Sequence, residues 1–311
     1  MKRMEELSRK RKIVISADSA ADLKPEWIER YGIAVIYHRL HTERGVFADD
    51  IELDCDELCA YLRDEKNNAK SEVPDAARFE VFFSDLLTTT EEVLHISISD
   101  QASPVFKEAQ RAAQNMAHVH VFDSGNMAGG AGVFALYAAH LVEQGHSVGE
   151  IEAELIRLKR QVRSTYVLKG TEYLQRGGRM SPFLSRLLTA FLLHPVIIMK
   201  NDRMNFRFAW SSGYRKIYIR RMLRKPEHID RSLLVIPHAS LSEEELEWVQ
   251  KEVERYVRFD RVVCLPTSSA ITVNVGEGTF GLVFCMTDHN REESHLFEFL
   301  PLTEEDREQD V

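Results

Sequence analysis

Ile13-Val14-Ile15-Ser16-Ala17-Asp18-Ser19 decides how this chain folds. Three β-branched residues lead into small ones, then into an acid and a hydroxyl. That is the pattern of a strand buried on both faces and ending in a polar turn. It recurs at Val93-Leu94-His95-Ile96-Ser97-Ile98-Ser99 and at Val119-His120-Val121-Phe122-Asp123-Ser124. Ala34 to Tyr37 adds another strand. Helical segments lie between: Lys24 to Tyr31, closed by Gly32, then Leu53 to Arg63, Arg78 to Leu87 and Pro104 to His118. Asp64 to Lys70 reads as a polar linker, and Gly125 to Gly145 as a small-residue run that becomes helical. Such alternation predicts a parallel sheet with helices on both faces, a three-layer α/β/α domain.

The second half changes character. Ser147 to Gln161 is an amphipathic helix, and Phe183 to Leu193 an apolar one entered through Ser181-Pro182. Val196 to Met199 and Asn205 to Trp210 read as strands around Asn201-Asp202. A basic helix, Tyr214 to Arg224, and an acidic one, Ser242 to Tyr256, flank the strand Leu233 to Pro237; Ser242 and Glu245 form a capping box. Val262 to Leu265, Ile271 to Val275 and Gly281 to Met286 read as further strands. The expectation is a C-terminal α/β domain with a mixed sheet over residues 161–300, after a parallel-sheet domain over 12–160. Residues 1–11 and 301–311 are expected to be flexible ends.

Composition narrows the function. The 311 residues carry a formal charge of −9, with no basic block beyond Lys10-Arg11-Lys12, which argues against nucleic-acid binding. No apolar run approaches the roughly 18–20 residues of a membrane span. The four cysteines, Cys55, Cys59, Cys264 and Cys285, lack zinc spacing and fit free thiols in a reducing cytosol, so the chain is expected to be cytoplasmic and to hold no metal. Gly276-Glu277-Gly278-Thr279-Phe280-Gly281 matches a kinase glycine-rich loop, but the lysine, catalytic loop and metal site that should follow are missing. These glycines read as a tight inter-strand turn.

Tyr173-Leu174-Gln175-Arg176-Gly177-Gly178-Arg179-Met180-Ser181-Pro182 combines a flexible turn, two guanidinium groups and a helix N-terminus. All three favour an anion, although a solvated C-cap turn fits the same letters. In parallel sheets, ligands bind at the carboxyl ends of strands. The polar residues there are Asp18, Ser19, Ser99, Ser103, Asp123 and Ser124. Helix capping and loop bracing use the same residue types.

Taken in order, several segments resemble the DegV family of bacterial fatty-acid-binding proteins. They are Ala17-Asp18-Ser19-Ala20-Ala21-Asp22-Leu23, Tyr31-Gly32-Ile33, Val73-Pro74 with Phe79, and Ile96-Ser97-Ile98-Ser99 with Ala102-Ser103. Phe122-Asp123-Ser124, Glu172-Tyr173-Leu174 with Gly177-Gly178-Arg179, and Gly276-Glu277-Gly278 before Phe280 complete the set. The resemblance implies two α/β domains holding one long-chain fatty acid between them, with no catalysis and no cofactor. It also implies presentation of the carboxylate to a separate fatty acid kinase subunit that makes acyl phosphate. The family's Thr-Ser-Gln-Pro turn supplies a hydroxyl; here the segment is Ser71-Glu72-Val73-Pro74. Its Leu-Ser-Gly-Thr segment corresponds to Ala102-Ser103-Pro104-Val105, and its late His-Thr-Gly-Pro-Gly to Asn274-Val275-Gly276-Glu277-Gly278. The ligand-binding candidates are thus Ser71, Ser103 and Arg179, joined by Ser99 and Asn274, with Phe183 and Leu187 lining an acyl tunnel. Glu72 and Glu277 add negative charge near that head group, which opposes a carboxylate unless each is compensated. Two other readings stand beside this one. One is a binder of an amphiphile with a neutral or cationic head. The other is an esterase-like enzyme using Ser103 or Ser124, with His38, His41 or His95 as base.

Overall fold

The computed structural model describes residues 11–64, 66–176 and 180–287. The expected ends and the Gly177-Gly178-Arg179 turn therefore lie outside the described residues, apart from Arg11.

The three strands that end in acids or hydroxyls pair side by side, as their buried patterning requires. β1 (Arg11–Asp18), β2 (Ala34–Ile36), β6 (Thr90–Ser97) and β7 (Val119–Asp123) form a parallel sheet in the order β2-β1-β6-β7. Helices α1 (Pro25–Tyr31), α3 (Ala76–Thr89), α4 (Val105–Ala113) and α5 (Gly129–Glu143) cover its faces, as predicted. Local chemistry sets their ends. Gly32 closes α1 at φ 61°, a left-handed conformation that glycine tolerates. Asp54 and Glu57 form a capping box at the start of α2 (Cys55–Leu62).

A small antiparallel sheet, which the sequence reading did not anticipate, joins this half. Its strands are β3 (Arg39–Thr42), β4 (Gly45–Ala48) and β5 (Ala69–Glu72), in the order β4-β3-β5. The linker assigned to Asp64–Lys70 therefore ends in a strand. These strands are four residues long, and two of them are largely polar, so their alternation is weak.

The second half starts after α6 (Val148–Gln161). β8 (Val162–Val167), β9 (Leu193–Lys200), β10 (Arg203–Trp210), β11 (Leu234–His238), β12 (Val262–Pro266) and β13 (Phe280–Cys285) make a mixed sheet ordered β10-β9-β8-β13-β11-β12. Its remaining helices are α7 (Glu172–Arg176), α8 (Pro182–Ala190), α9 (Tyr214–Met222), α10 (Glu243–Glu254) and α11 (Ser269–Val275). The last of these corrects the sequence reading, which made Ile271–Val275 a strand. The β-branched run favours a strand on propensity alone. Tertiary contacts override it, because the first three amides at the helix entrance are satisfied from elsewhere in the chain.

Those donors tie the halves together. Ser268 N donates to Asp22 Oδ1 at 2.8 Å, Ser269 N to Asp50 Oδ1 at 3.0 Å, and Ala270 N to Asp49 Oδ1 at 2.8 Å. All three carboxylates come from loops of the first half. A helix leaves its first amides unpaired and its N-terminus partly positive, so carboxylates fit it doubly. Ser164 Oγ to Asn126 Oδ1 at 2.6 Å and Tyr166 Oη to Met127 O at 2.6 Å add further buried bonds across the same seam.

Helix α5 sits in the middle, against β1 and β6 on one side and β8 and β11 on the other. It is buried almost all round, which explains its weak amphipathicity. Its Gly129-Gly130-Ala131-Gly132 start permits the close approach. A Cβ on Gly130 would stand 2.4 Å from Ser164 Oγ, and one on Gly132 2.4 Å from the Ala21 carbonyl oxygen. Gly132→Ala is expected to destabilise the fold by about 1–3 kcal/mol through overpacking against backbone. Urea denaturation tests this, and an unchanged midpoint would contradict it.

Burial dominates the charge of the seam. It pushes the Asp49 carboxyl up to about 6 and that of Asp22 well above the usual carboxylate range, even though both accept backbone bonds that work the other way. A carboxyl raised in the folded state holds a proton that the unfolded chain has already released. Its contribution is therefore greatest at low pH and declines as pH rises through the folded value. Asp49→Asn keeps an acceptor for Ala270 N and cannot ionise. Between about pH 5 and about pH 7.5, the melting temperature of the native protein should fall relative to that of Asp49→Asn. Parallel curves would sink this assignment.

Candidate functional site

Helix α11 also carries the second layer of the site. Asn274 Nδ2 donates to Ala270 O one turn back at 2.8 Å and to Ser71 Oγ at 3.3 Å. Ser71 lies on β5, opposite Leu40 of β3. Leu40 packs in a small core with Leu58, Tyr61 and Leu62 of α2 and Ala270 and Val273 of α11. The small sheet, α2 and α11 thus fix Ser71 and Asn274 together, 203 residues apart in the chain.

The neighbouring glutamates are both compensated. Glu72 alternates to the solvent side of β5, where His41 Nε2 lies 2.6 Å away and Arg39 Nη1 4.0 Å away. Glu277 takes Arg63 Nη2 at 2.8 Å. Such exposed pairs add little stability. Their consequence is local: near the Ser71–Asn274 corner, Glu277 faces Arg63, and Glu72 faces Arg39 and the His41 ring. Gly276 and Gly278, at φ 82° and 80°, make the turn that carries Glu277. The turn joins a helix to a strand, not two strands.

Ser99 and Ser103 occupy the loop after β6. Ser99 N donates to Asn126 O at 2.7 Å, and its hydroxyl accepts from Gln101 N at 3.2 Å. Ser103 Oγ accepts from Val105 N at 3.3 Å, at the entrance to α4. An accepting hydroxyl keeps its own proton free to donate. The loop-bracing reading of Asp18, Ser19, Asp123 and Ser124 also holds. Asp18 Oδ2 takes Ile98 N at 3.1 Å, Ser19 Oγ takes His38 N at 3.1 Å, and Asp123 Oδ1 takes Gly125 N at 2.7 Å. Ser124 Oγ accepts from Asn126 N at 3.2 Å.

This geometry offers the esterase reading little. Among the described residues, neither Ser103 nor Ser124 hydrogen-bonds a histidine. His95 Nδ1 pairs with Ser16 Oγ at 3.0 Å, His41 with Glu72, and His38 Nε2 lies 3.7 Å from Asp18 Oδ1. Burial lowers His95 to about 3 and His38 to about 4.

Two apolar candidates sit differently from a tunnel lining. Phe183 is 77% exposed and Leu187 42% exposed, on a helix that buries only Ser185 and Leu188. Phe206, Phe208 and Trp210, on one face of β10, are exposed as well. Arg179 lies outside the described residues. One cation went unnoticed in the sequence. Arg78 of α3 donates from Nη2 to Tyr37 O at 2.8 Å, while its buried Nη1 has no partner among the described residues. Its spacing from Ser71 gave no periodic signal.

A cavity of about 500 Å³ opens beside the seam. Leu23, Ile28 and Val35 line it together with Asp18, Asp22 and Asp54. Burial pushes Asp18 up to about 7. Six carboxyl side chains against one lysine, Lys24, disfavour a further anion there. Among the described residues, no cluster of three acids, histidines or cysteines is arranged to hold a metal, and no helix is long and apolar enough to cross a membrane.

Known proteins give the arrangement a context. A DegV domain-containing protein of Staphylococcus aureus (strain MRSA252) is 28% identical over 280 residues, 88% of this chain and 98% of its own. The fold matches a DegV family protein from Thermus thermophilus studied for fatty-acid binding, with a TM-score of 0.78, 24% identity and coverage of 89% and 100% of the two chains. DegV of Bacillus subtilis, a fatty-acid-binding protein, gives a TM-score of 0.73 at 23% identity, with coverage of 89% and 99%. The sequence profile of the DegV family matches residues 12–287, nearly all that the structure describes. The chain belongs to the DegV family.

Proposed function

We propose that this chain binds one long-chain fatty acid and offers its carboxylate to a separate fatty acid kinase subunit for acyl-phosphate formation. The observation that carries the reading is the Ser71–Asn274 pair, a hydroxyl and an amide held together across the two halves beside glutamates that face Arg39 and Arg63. In this reading Asn274 stands where relatives have histidine and supplies a neutral donor. Ser71, Ser99 and Ser103 donate hydroxyls, and Arg179 and Arg78 supply positive charge. Solved DegV proteins that bind fatty acids support the ligand class.

The acyl chain needs an apolar bed, and we assign that role to the α8 surface with Phe183 and Leu187. Each buried methylene is worth about 0.8 kcal/mol, so a long tail anchors itself even with a modest head-group site.

Titration of the delipidated protein with oleate is expected to give one site per chain. Ser71→Ala should weaken it about tenfold or more, the cost of one hydrogen bond to a charged group. Arg63→Ala, which releases Glu277, should weaken it less. Phe183→Ser with Leu187→Ser should reduce the gain in affinity from decanoate to oleate. No saturable uptake of oleate would overturn the reading. Mixed with a fatty acid kinase catalytic subunit and ATP, the loaded protein should support oleate-dependent ATP consumption. Its absence would contradict the handover and leave carriage standing.

A further inference from the structure

The second sheet has two faces with different fates. Tyr166, Ile197, Met199 and Val283 point into the core shared with the first half. Their neighbours Thr165, Val196, Ile198 and Phe284 line a groove of about 950 Å³ on the other face, beside α9. Its charged rim is one-sided: Arg163, Lys200, Arg207, Arg221, Arg224 and Lys225 line it, with no carboxylate among them. Arg163, Arg207 and Arg221 each spend one nitrogen on backbone carbonyls, at 2.8 Å to Val162 O, 2.9 Å to Phe206 O and 2.8 Å to Phe208 O. A guanidinium has five N–H groups, so each keeps donors for an anion. Among the described residues, none of Lys200, Arg207, Arg221, Arg224 and Lys225 has a carboxylate partner.

An acidic groove filler is covalently at hand. Residues 288–311 hold nine carboxylates against Arg291 and Arg307, a net −7 of the whole chain's −9. This segment leaves from the groove itself, because Met286 and Thr287 are lining residues. Thr287 N is pinned to His228 O at 2.9 Å, which fixes the point of departure at the rim. Twenty-four residues reach up to about 80 Å when extended, far more than the groove requires. The family match stops at residue 287, so the segment lies outside the matched region.

We propose that the acidic segment 288–311 docks into this basic groove of its own chain and shields it from other polyanions. Tethering supplies the segment at high effective concentration, so individually weak ion pairs suffice. The contact is electrostatic and exposed, and it should weaken as salt rises and the screening length shortens.

Zero-length carbodiimide cross-linking of the full chain, read by peptide mass spectrometry, tests this. Lys200 and Lys225 should couple to carboxylates of 288–311 in the monomeric fraction. The yield should drop several-fold in about 0.5 M NaCl and in Arg221→Glu with Arg224→Glu. A chain ending at Thr287 should bind a heparin column more tightly than the full chain, which gives a readout independent of the charge-reversed variant. Cross-links absent from the folded monomer, or confined to a dimer fraction where the segment lies on a second copy, would overturn the proposal. Equal heparin retention of the full and shortened chains would overturn it as well, and would leave the groove to a foreign anion.

Discussion

Three carboxylates aimed at one helix entrance hold this molecule in register. Asp22, Asp49 and Asp50 come from the first half, and the amides of Ser268, Ser269 and Ala270 open a helix of the second. Neither side is stable alone. The amides are orphan donors at a helix start, and the buried acids lack water. Pairing gives the amides their acceptors, yet Asp22 Oδ2 has no partner among the described residues, and burial still outweighs the helix field at Asp22 and Asp49, whose carboxyls are pushed up. The seam therefore couples folding of the two halves to proton uptake. It also sets the position of Asn274, one turn beyond Ala270 on the same helix.

That position has a chemical consequence. Asn274 meets Ser71 only because α11 is pinned at its start and packed against α2 and the small sheet. The corner then presents a hydroxyl and an amide, both neutral. Charge is organised around it: Glu72 and Glu277 are tied to His41, Arg39 and Arg63. The acid-lined cavity beside the seam is another environment, where burial pushes Asp18 up to about 7. An anionic head is better served at the first place than at the second.

Much of the architecture was legible in the letters. β1, β6 and β7 announced themselves by apolar runs ending in Ser or Asp, because strands buried on both faces need no alternation. Helix α10 carried the Ser242–Glu245 capping box that the structure contains. Helix α11 was hidden because its β-branched residues favour a strand and its stabilising acids sit more than 200 residues upstream. The small sheet was hidden because strands of four residues are too short to leave a periodic trace. For the site, the hydroxyl candidates came from segment order, but the partners of Glu72 and Glu277 did not, since Arg39, His41 and Arg63 are distant from them in sequence. Nor did the outward turn of Phe183 and Leu187, since an apolar stripe does not say which partner covers it.

The most direct test of the account is a crystal structure of the protein loaded with oleate. The account predicts density for one acyl chain along the α8 surface, with its carboxylate within hydrogen-bond distance of Ser71 and Asn274. No acyl density on the α8 surface, or a carboxylate bound away from that pair, would contradict it.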